Sequence, residues 1–308
     1  MDTQIFHQDF AHKTTGDLVL TIGMFDGVHI GHKAVLQQLR QLAQQSNAGT
    51  AILTFSPHPR QVLQKDVGIK LLTLQSEKFP KLCTLDIDYI YEQRFDLPFS
   101  RLTAEDFVHE ICLQQIGMTT LVIGHDHQFG KNREGDFAHL QELSEKYGFR
   151  LVRAHAIELD GKPVSSTKIR NALQQGNLDY AHRALGYNYH FSGRVIHGDK
   201  IGRKLNFPTI NLQVHPNKLL PKNGVYGVQA SIAGRQYYGV MNMGSRPSLS
   251  QEEYRIEVYV FDFEEDVYDQ EVQITLMARL RDEQKFADLT ALQSQIAKDV
   301  SQFRQMIS

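Results

Sequence analysis

Apolar and polar positions change their rhythm once along this chain. From Leu18 to about Gly186, short apolar runs alternate with stretches of helical periodicity; beyond residue 191, short runs rich in Val, Ile and Tyr are separated by Gly, Pro and Asp. Residues 18–22 and 50–55 are apolar runs of strand length, as strands covered on both faces are. Between them Val35, Leu36, Leu39, Leu42 and Ala43 recur at three- and four-residue steps, the signature of one helix face, and Ser46-Asn47-Ala48-Gly49 signals its end. Residues 73–82 read as a short helix interrupted by Pro80, and 87–91 and 119–123 as strands. Thr103, with Asp106 three residues on, predicts the N-cap of a helix that buries Phe107, Val108, Ile111 and Cys112 and stops at Gly117. A helix near 137–147, a strand near 150–156 and a helix after Ser165-Ser166-Thr167 complete the alternation. The pattern predicts an α/β domain with a parallel sheet and helices on both faces.

Gly186-Tyr187-Asn188-Tyr189-His190 follows the last amphipathic helix of this half and marks the expected boundary, giving domains 1–186 and 187–308. The later runs at 191–196, 224–232, 236–243, 255–261 and 272–276 have the spacing of an all-β antiparallel barrel or sandwich. One helix closes the chain, and its stripe Leu289, Leu292, Ile296, Val300, Phe303 and Ile307 is expected to pack as core against the strands.

Length and charge narrow the possibilities. At 308 residues the chain can bury two cores, and a net charge of −2 from 33 basic and 35 acidic residues offers no general attraction to nucleic acid or anionic membrane. Cys83 and Cys112 have no disulfide or metal-ligand spacing, which fits a reducing compartment. The N-terminal stretch lacks a signal-peptide pattern, and no apolar run reaches membrane-spanning length. The expectation is a cytoplasmic protein acting on small molecules, without nucleic-acid or membrane partners, monomeric or weakly homo-oligomeric.

Chemistry concentrates where strands end. Residues 23–32, Gly-Met-Phe-Asp-Gly-Val-His-Ile-Gly-His, join a strand to a helix. Glycines permit a sharp turn and close ligand approach, and the new helix presents unpaired N–H groups that suit phosphate. His29 and His32 add side-chain donors, and Gly31 is expected to leave room for a phosphate or a ring between the two imidazoles. Pro57-His58-Pro59 and the loop 124–130 also leave strand ends; in the latter, Asp126 suits ribose or ring donors and Phe129 a planar ring. His125, Asp126 and His127 could suggest a metal site, but nothing nearby supplies a further ligand from a fixed position. Ser165 or Ser166 is a natural N-cap, whereas Lys168 and Arg170 oppose the helix dipole unless an anion is bound there. In the second half, 198–211 carries glycines and cations that suit phosphate without Walker A spacing. Thr209 and Asn211, two apart in an extended segment, can turn neutral hard oxygens to one side, a set suited to Mg²⁺ shared with ATP, or simply form a polar strand start. Glu257 shares a strand face with Arg255 and Tyr259, which also fits a solvent-facing residue.

Taken together, these motifs resemble the nucleotidylyltransferase superfamily and, more closely, the bacterial bifunctional riboflavin kinase/FAD synthetases. The resemblance rests on Gly-x-Phe-Asp-Gly-Val-His-x-Gly-His, Phe-x-Pro-His-Pro at 55–59, Gly-x-Asp-x-x-Phe-Gly at 124–130 and Ser-Ser-Thr-x-Ile-Arg at 165–170, in that order. It implies a Rossmann-like N-terminal domain that transfers an adenylyl group from ATP to FMN, giving FAD and pyrophosphate. His29, His32 and Arg170 would be catalytic, with Gly23, Phe25, Asp26, Gly27, Gly31, Ser165, Ser166 and Thr167 around the nucleotide and Pro57, His58 and Asp126 toward the flavin. The second half resembles the riboflavin kinase domain of the same family, with Pro-Thr-x-Asn at 208–211 and Phe-Asp-Phe at 261–263 downstream of Glu257. That implies a six-stranded barrel with a closing helix, Glu257 as catalytic base, Gly198, Gly202, Arg203 and Pro208 around ATP, and Thr209 and Asn211 on Mg²⁺. Riboflavin's hydroxyl needs a base to become nucleophilic, whereas an FMN phosphate is already anionic.

Three departures stand out: Asn206 replaces a frequent glycine, His127 a frequent phenylalanine, and Ser248 a threonine. One site alone surviving, or a flavin- or nucleotide-binding module without turnover, remains as an alternative, although a pure binding site has no need of Glu257. An RNA-aminoacylating enzyme is disfavoured by the near-neutral charge.

Overall fold

The computed structural model describes residues 3–7, 16–63, 68–124, 135–198, 202, 205–247 and 252–308. Contacts divide the chain into two compact units, Met1–Ser166 and Thr167–Ser308.

In the first unit β1 (Gln4–His7), β2 (Leu18–Ile22), β3 (Gly49–Ser56), β4 (Tyr89–Arg94), β5 (Met118–Ile123) and β6 (Arg150–Arg153) form one parallel sheet in the order β1-β4-β3-β2-β5-β6. Strand alternation divides the side chains between two cores. Leu18, Leu20, Leu53, Tyr91 and Leu121 join one cluster, and Val19, Ile52, Ile90 and Val122 the other. The second face is covered by α1 (Ile30–Ser46), through Leu36, Leu39 and Ala43, and by α3 (Gln75–Cys83), through Phe79 and Leu82. A short α2 (Pro59–Leu63) lies between them in sequence. The first face is covered by α5 (Phe137–Tyr147) and by a helix that opens as one α turn, α4 (Ala104–Asp106), and continues with π-type hydrogen bonding over Phe107–Ile116. Each fully buried Leu or Ile contributes about 1.5–3 kcal/mol of transfer free energy.

Local signals act where expected at several ends. Thr103 accepts the Asp106 N–H, Asn47 closes α1 at φ 51°, and Gly117 stops its helix at φ 82°. Pro80 does not interrupt α3. It lies on the exposed side of the helix. The edge strand β1 was not anticipated, because four residues are too few for a periodic signal. The hairpin of β7 (Glu158–Leu159) and β8 (Lys162–Pro163) did carry one: Asp160-Gly161, both at positive φ, is a favoured two-residue hairpin turn.

The second unit contains α6 (Ser166–Gln175, whose first residue belongs to the first unit), α7 (Leu178–Leu185) and six antiparallel strands. These are β9 (His190–Ile196), β10 (Thr209–Val214), β11 (Gly224–Ile232), β12 (Arg235–Pro247), β13 (Glu252–Val260) and β14 (Glu271–Arg281). They close in the order β10-β13-β12-β11-β14-β9, and the β9–β10 pair decides barrel over sandwich. Tyr226, Val228, Met241, Ile256, Val258 and Ile274 are buried at alternate positions and fill the interior.

The final helix α8 (Leu289–Ile307), capped by Asp288, lies on the outer wall. Phe303 is buried among Val225, Val240 and Phe261, with Val300 and Ile307 beside it. Only this C-terminal half of the predicted stripe packs as core. Leu289 is 56% exposed, and Leu292 and Ile296 line a cavity between helix and barrel.

Candidate active sites

In the sheet the chain runs outward from β2 through β3 to β4, then crosses to the other side of β2 at β5. Parallel α/β sheets bind ligands at such a reversal, beyond the strands' carboxyl ends. The 23–32 turn leaves β2 at this point, the Ser56–Pro59 turn leaves neighbouring β3, and Gly124 follows β5. Asp126, His127 and the rest of 125–134 lie outside the described residues.

The turn is strained and strongly braced. Phe25 and Val28 are buried at φ 51° and 38°, and the left-handed region is unfavourable for a β-branched residue such as Val28. The Asp26 carboxylate accepts the Leu72 N–H (3.1 Å), the Thr73 N–H (2.9 Å) and the Thr73 hydroxyl (3.2 Å), while Thr73 Oγ1 accepts the Gly27 N–H (2.9 Å). Asp26, expected near the nucleotide, therefore commits both carboxylate oxygens to holding the turn. Below it, Lys78 Nζ donates to Thr54 Oγ1 at 3.0 Å and to the Met24 carbonyl at 3.4 Å. Ser166 Oγ donates to the Asp26 carbonyl at 2.9 Å, which brings the start of α6 to the turn.

His29 is the N-cap of α1, and its Nδ1 accepts the His32 N–H at 3.2 Å. This places its proton on Nε2. The same bond draws the His29 ring over the first turn. The two imidazoles stack with centroids 3.6 Å apart and planes at 16°, so no phosphate or ring fits between them, contrary to the expected role of Gly31. Gly31 instead admits the His29 ring: a Cβ there would approach it to 3.1 Å. Burial, the His29 ring and the Lys78 charge hold the His32 pKa well below the ordinary histidine value, and His32 Nδ1 has no hydrogen-bond partner among the described residues.

The second constellation lies on the barrel's outer wall. In register Asn211 faces Glu257, Asn242 faces Glu257 from the other side, and Thr209 faces Tyr259, so these side chains share one surface. Thr209, Asn242, Glu257, Tyr259 and Gly202 line a cavity of about 460 Å³ roofed by Leu292 and Ile296 of α8. Arg281 fixes the roof: its guanidinium pairs with the buried Asp299 carboxylate at 2.8–3.1 Å, and Gln295 donates to the same carboxylate at 2.9 Å. A second pocket, about 530 Å³, is lined by Asn206, Pro208, Thr209, Phe263, Asp266 and Tyr268, so Thr209 borders both. A Cβ on Gly202 would come within 2.3 Å of the Phe207 carbonyl, and Asn206 takes φ 61°, a conformation asparagine tolerates when it replaces glycine. Gly198 packs against the Asn211 side chain. Arg203 and Ser248 lie outside the described residues.

Family profiles divide the chain along the same lines: FAD synthetase matches residues 11–168 and riboflavin kinase residues 185–307. The bifunctional riboflavin kinase/FMN adenylyltransferase of Escherichia coli K12 is 37% identical over 91% of this chain and 90% of its own. The chain belongs to the bifunctional riboflavin kinase/FMN adenylyltransferase family. The Haemophilus influenzae relative of that name is also 37% identical, over 94% of both chains. A crystal structure described as a macrolide-efflux protein from Streptococcus pneumoniae matches 99% of each chain with a TM-score of 0.88 at 27% identity. In the present family member no helix among the described residues is long and apolar enough to cross a membrane.

The remaining sequence-predicted residues fall as follows. Gly23 donates to the Leu53 carbonyl at the strand exit, and His58 Nδ1 accepts the Arg60 N–H at the start of α2, beside Pro57. Ser165 precedes α6, which carries Thr167 in its first turn and Arg170 just beyond it. Sequence reasoning missed Thr73, Lys78, Asn242 and the Arg281–Asp299 pair. Lys78 looked like an ordinary polar helix residue, and the others gain their positions through long-range contacts.

Proposed function

We propose that the two activities of the family are divided between these two sites, with 1–186 forming FAD and 187–308 forming FMN. The chain is a transferase that phosphorylates riboflavin with ATP and adenylylates the resulting FMN. One contrast carries the assignment: Glu257 lines a cavity on the barrel, whereas the Asp26 carboxylate at the histidine corner accepts from Leu72 and Thr73 of the bracing segment. The first site has a carboxylate to accept a proton, and the second offers donors.

At the barrel, riboflavin occupies the cavity with its primary hydroxyl toward Glu257, and ATP enters from the pocket that shares Thr209. Glu257 takes the hydroxyl proton as the oxygen attacks the γ-phosphate, and ADP leaves. Thr209 and Asn211 provide neutral hard oxygens, and no group of three His, Cys, Asp or Glu among the described residues could hold a metal. That donor set fits Mg²⁺ sharing ATP oxygens and water rather than an all-protein cage. When bound, the ion neutralises phosphate charge.

At the corner, an FMN phosphate oxygen attacks the α-phosphorus of ATP and pyrophosphate leaves. The α1 N-terminus, His29 and His32 orient the phosphates, and the serines at the start of α6 supply further donors. The small-molecule chemistry and near-neutral charge support a cytoplasmic enzyme without nucleic-acid or membrane partners, monomeric or weakly self-associating. Incubation with riboflavin and Mg-ATP, followed by chromatography of the flavins, should show FMN and then FAD; tightly held but unaltered riboflavin would overturn the catalytic reading.

A further inference from the structure

The histidine corner rests on a buried cation that the chemistry above leaves unused. Lys78 is 6% exposed, although lysine is almost never buried without a partner. Its ammonium reaches from α3 to Thr54 at the end of β3 and to the Met24 carbonyl in the strained turn, and Thr54 Oγ1 itself donates to that carbonyl at 3.5 Å. The charged groups around it come from every adjoining element. Glu92 of β4 is 4% exposed, and its oxygens receive Gln75 and His7, which approaches from β1 at 2.7 Å; Asp26 belongs to the turn, and His29 and His32 open α1. Burial lowers the Lys78 pKa against the pull of Glu92 and Asp26, and the Lys78 charge acts on His32 in turn.

A stabilising role alone is a poor explanation. A methionine of similar volume would fill the space without the desolvation cost of an ammonium, and replacing buried ionic groups by apolar ones is often neutral or favourable. Charge retained under a strained turn at a sheet reversal points to the site above it.

We propose that Lys78 is a positioning residue for adenylyl transfer: its fixed charge and its hold on the Met24 carbonyl set the electrostatics and shape of the turn carrying His29 and His32. The proposal rests on reading that corner as the FAD-forming site. It gives Lys78 a role through the two histidines rather than through contact with substrate.

The test uses the full chain with Lys78→Met, Lys78→Gln, which keeps a donor to Thr54 but drops the charge, and Lys78→Arg. FAD formation from supplied FMN and Mg-ATP is followed against pH, riboflavin phosphorylation is measured beside it, and the His32 imidazole is titrated by NMR without ligand. In Lys78→Met and Lys78→Gln the FAD-forming rate should fall about tenfold or more while phosphorylation is unchanged. The His32 midpoint and the acid limb of FAD formation should both move to higher pH, and Lys78→Arg should restore them. If Lys78→Met fails to fold, Lys78→Gln decides. An unmoved His32 midpoint, or equal loss of both activities, would overturn the proposal. A wild-type chain that makes no FAD would instead overturn the reading of the corner, and the His32 titration would still report on Lys78.

Discussion

His29 and His32 stack ring on ring, 3.6 Å between centroids, with His29 Nδ1 accepting the His32 backbone N–H. Two imidazolium ions at that separation would repel strongly, and Lys78 adds a third positive charge. Burial, His29 and Lys78 therefore disfavour the charged form of His32 in the folded chain.

This carries a stability consequence. The folded-state pKa of His32 is lowered from its ordinary value of 6.5, so its contribution is complete above the unfolded value and is lost as pH falls toward the folded one. Denaturation at about pH 7.5 and about pH 5 should show the wild-type chain losing more stability than His32→Asn. Equal losses would mean that His32 titrates normally in the folded chain.

Thr73 ties the turn to the segment leading into α3 by accepting from Gly27 and donating to Asp26. Thr73→Val keeps the shape but leaves the buried Gly27 N–H without this acceptor, at a cost of about 1–3 kcal/mol. We expect a lower denaturation midpoint by circular dichroism and slower FAD formation, with riboflavin phosphorylation preserved. A variant with normal FAD formation would remove the bracing role.

The Phe303 ring seats α8 against the backbone of Gly227, where a Cβ would lie 2.2 Å from the ring. Gly227→Ala should push the helix outward and disturb the roof over Glu257, and overpacking of this kind costs about 1–3 kcal/mol. Riboflavin phosphorylation should fall, with a rise in the KM for riboflavin, while FAD formation from supplied FMN persists. Unchanged kinase constants would show that the roof does not shape the substrate site.

Much of this arrangement was legible beforehand because it is local. The strand, turn and helix around 23–32 follow from apolar runs and glycines, and the caps at Thr103, Asn47 and Gly117 follow from their own side chains or lack of one. What escaped depends on distant partners. The stacking of His29 on His32 follows from a capping bond that spacing alone does not specify. The commitment of Asp26 to Leu72 and Thr73 spans 46 and 47 residues. Asn211 and Glu257 meet across the β10–β13 pair, neighbours in space but far apart in sequence, and the apolar stripe of α8 could not announce that Leu292 and Ile296 would roof a cavity rather than fill a core.

The central claim is that FMN is made at the Glu257 cavity and consumed at the histidine corner. The most direct measurement is the flavin profile of two full-length variants, each given riboflavin and Mg-ATP and, separately, FMN and Mg-ATP. His32→Ala should accumulate FMN without FAD, whereas Glu257→Gln should leave riboflavin unaltered yet still convert supplied FMN to FAD. Loss of both steps in either folded variant, or FAD formation by His32→Ala at the wild-type rate, would contradict the account.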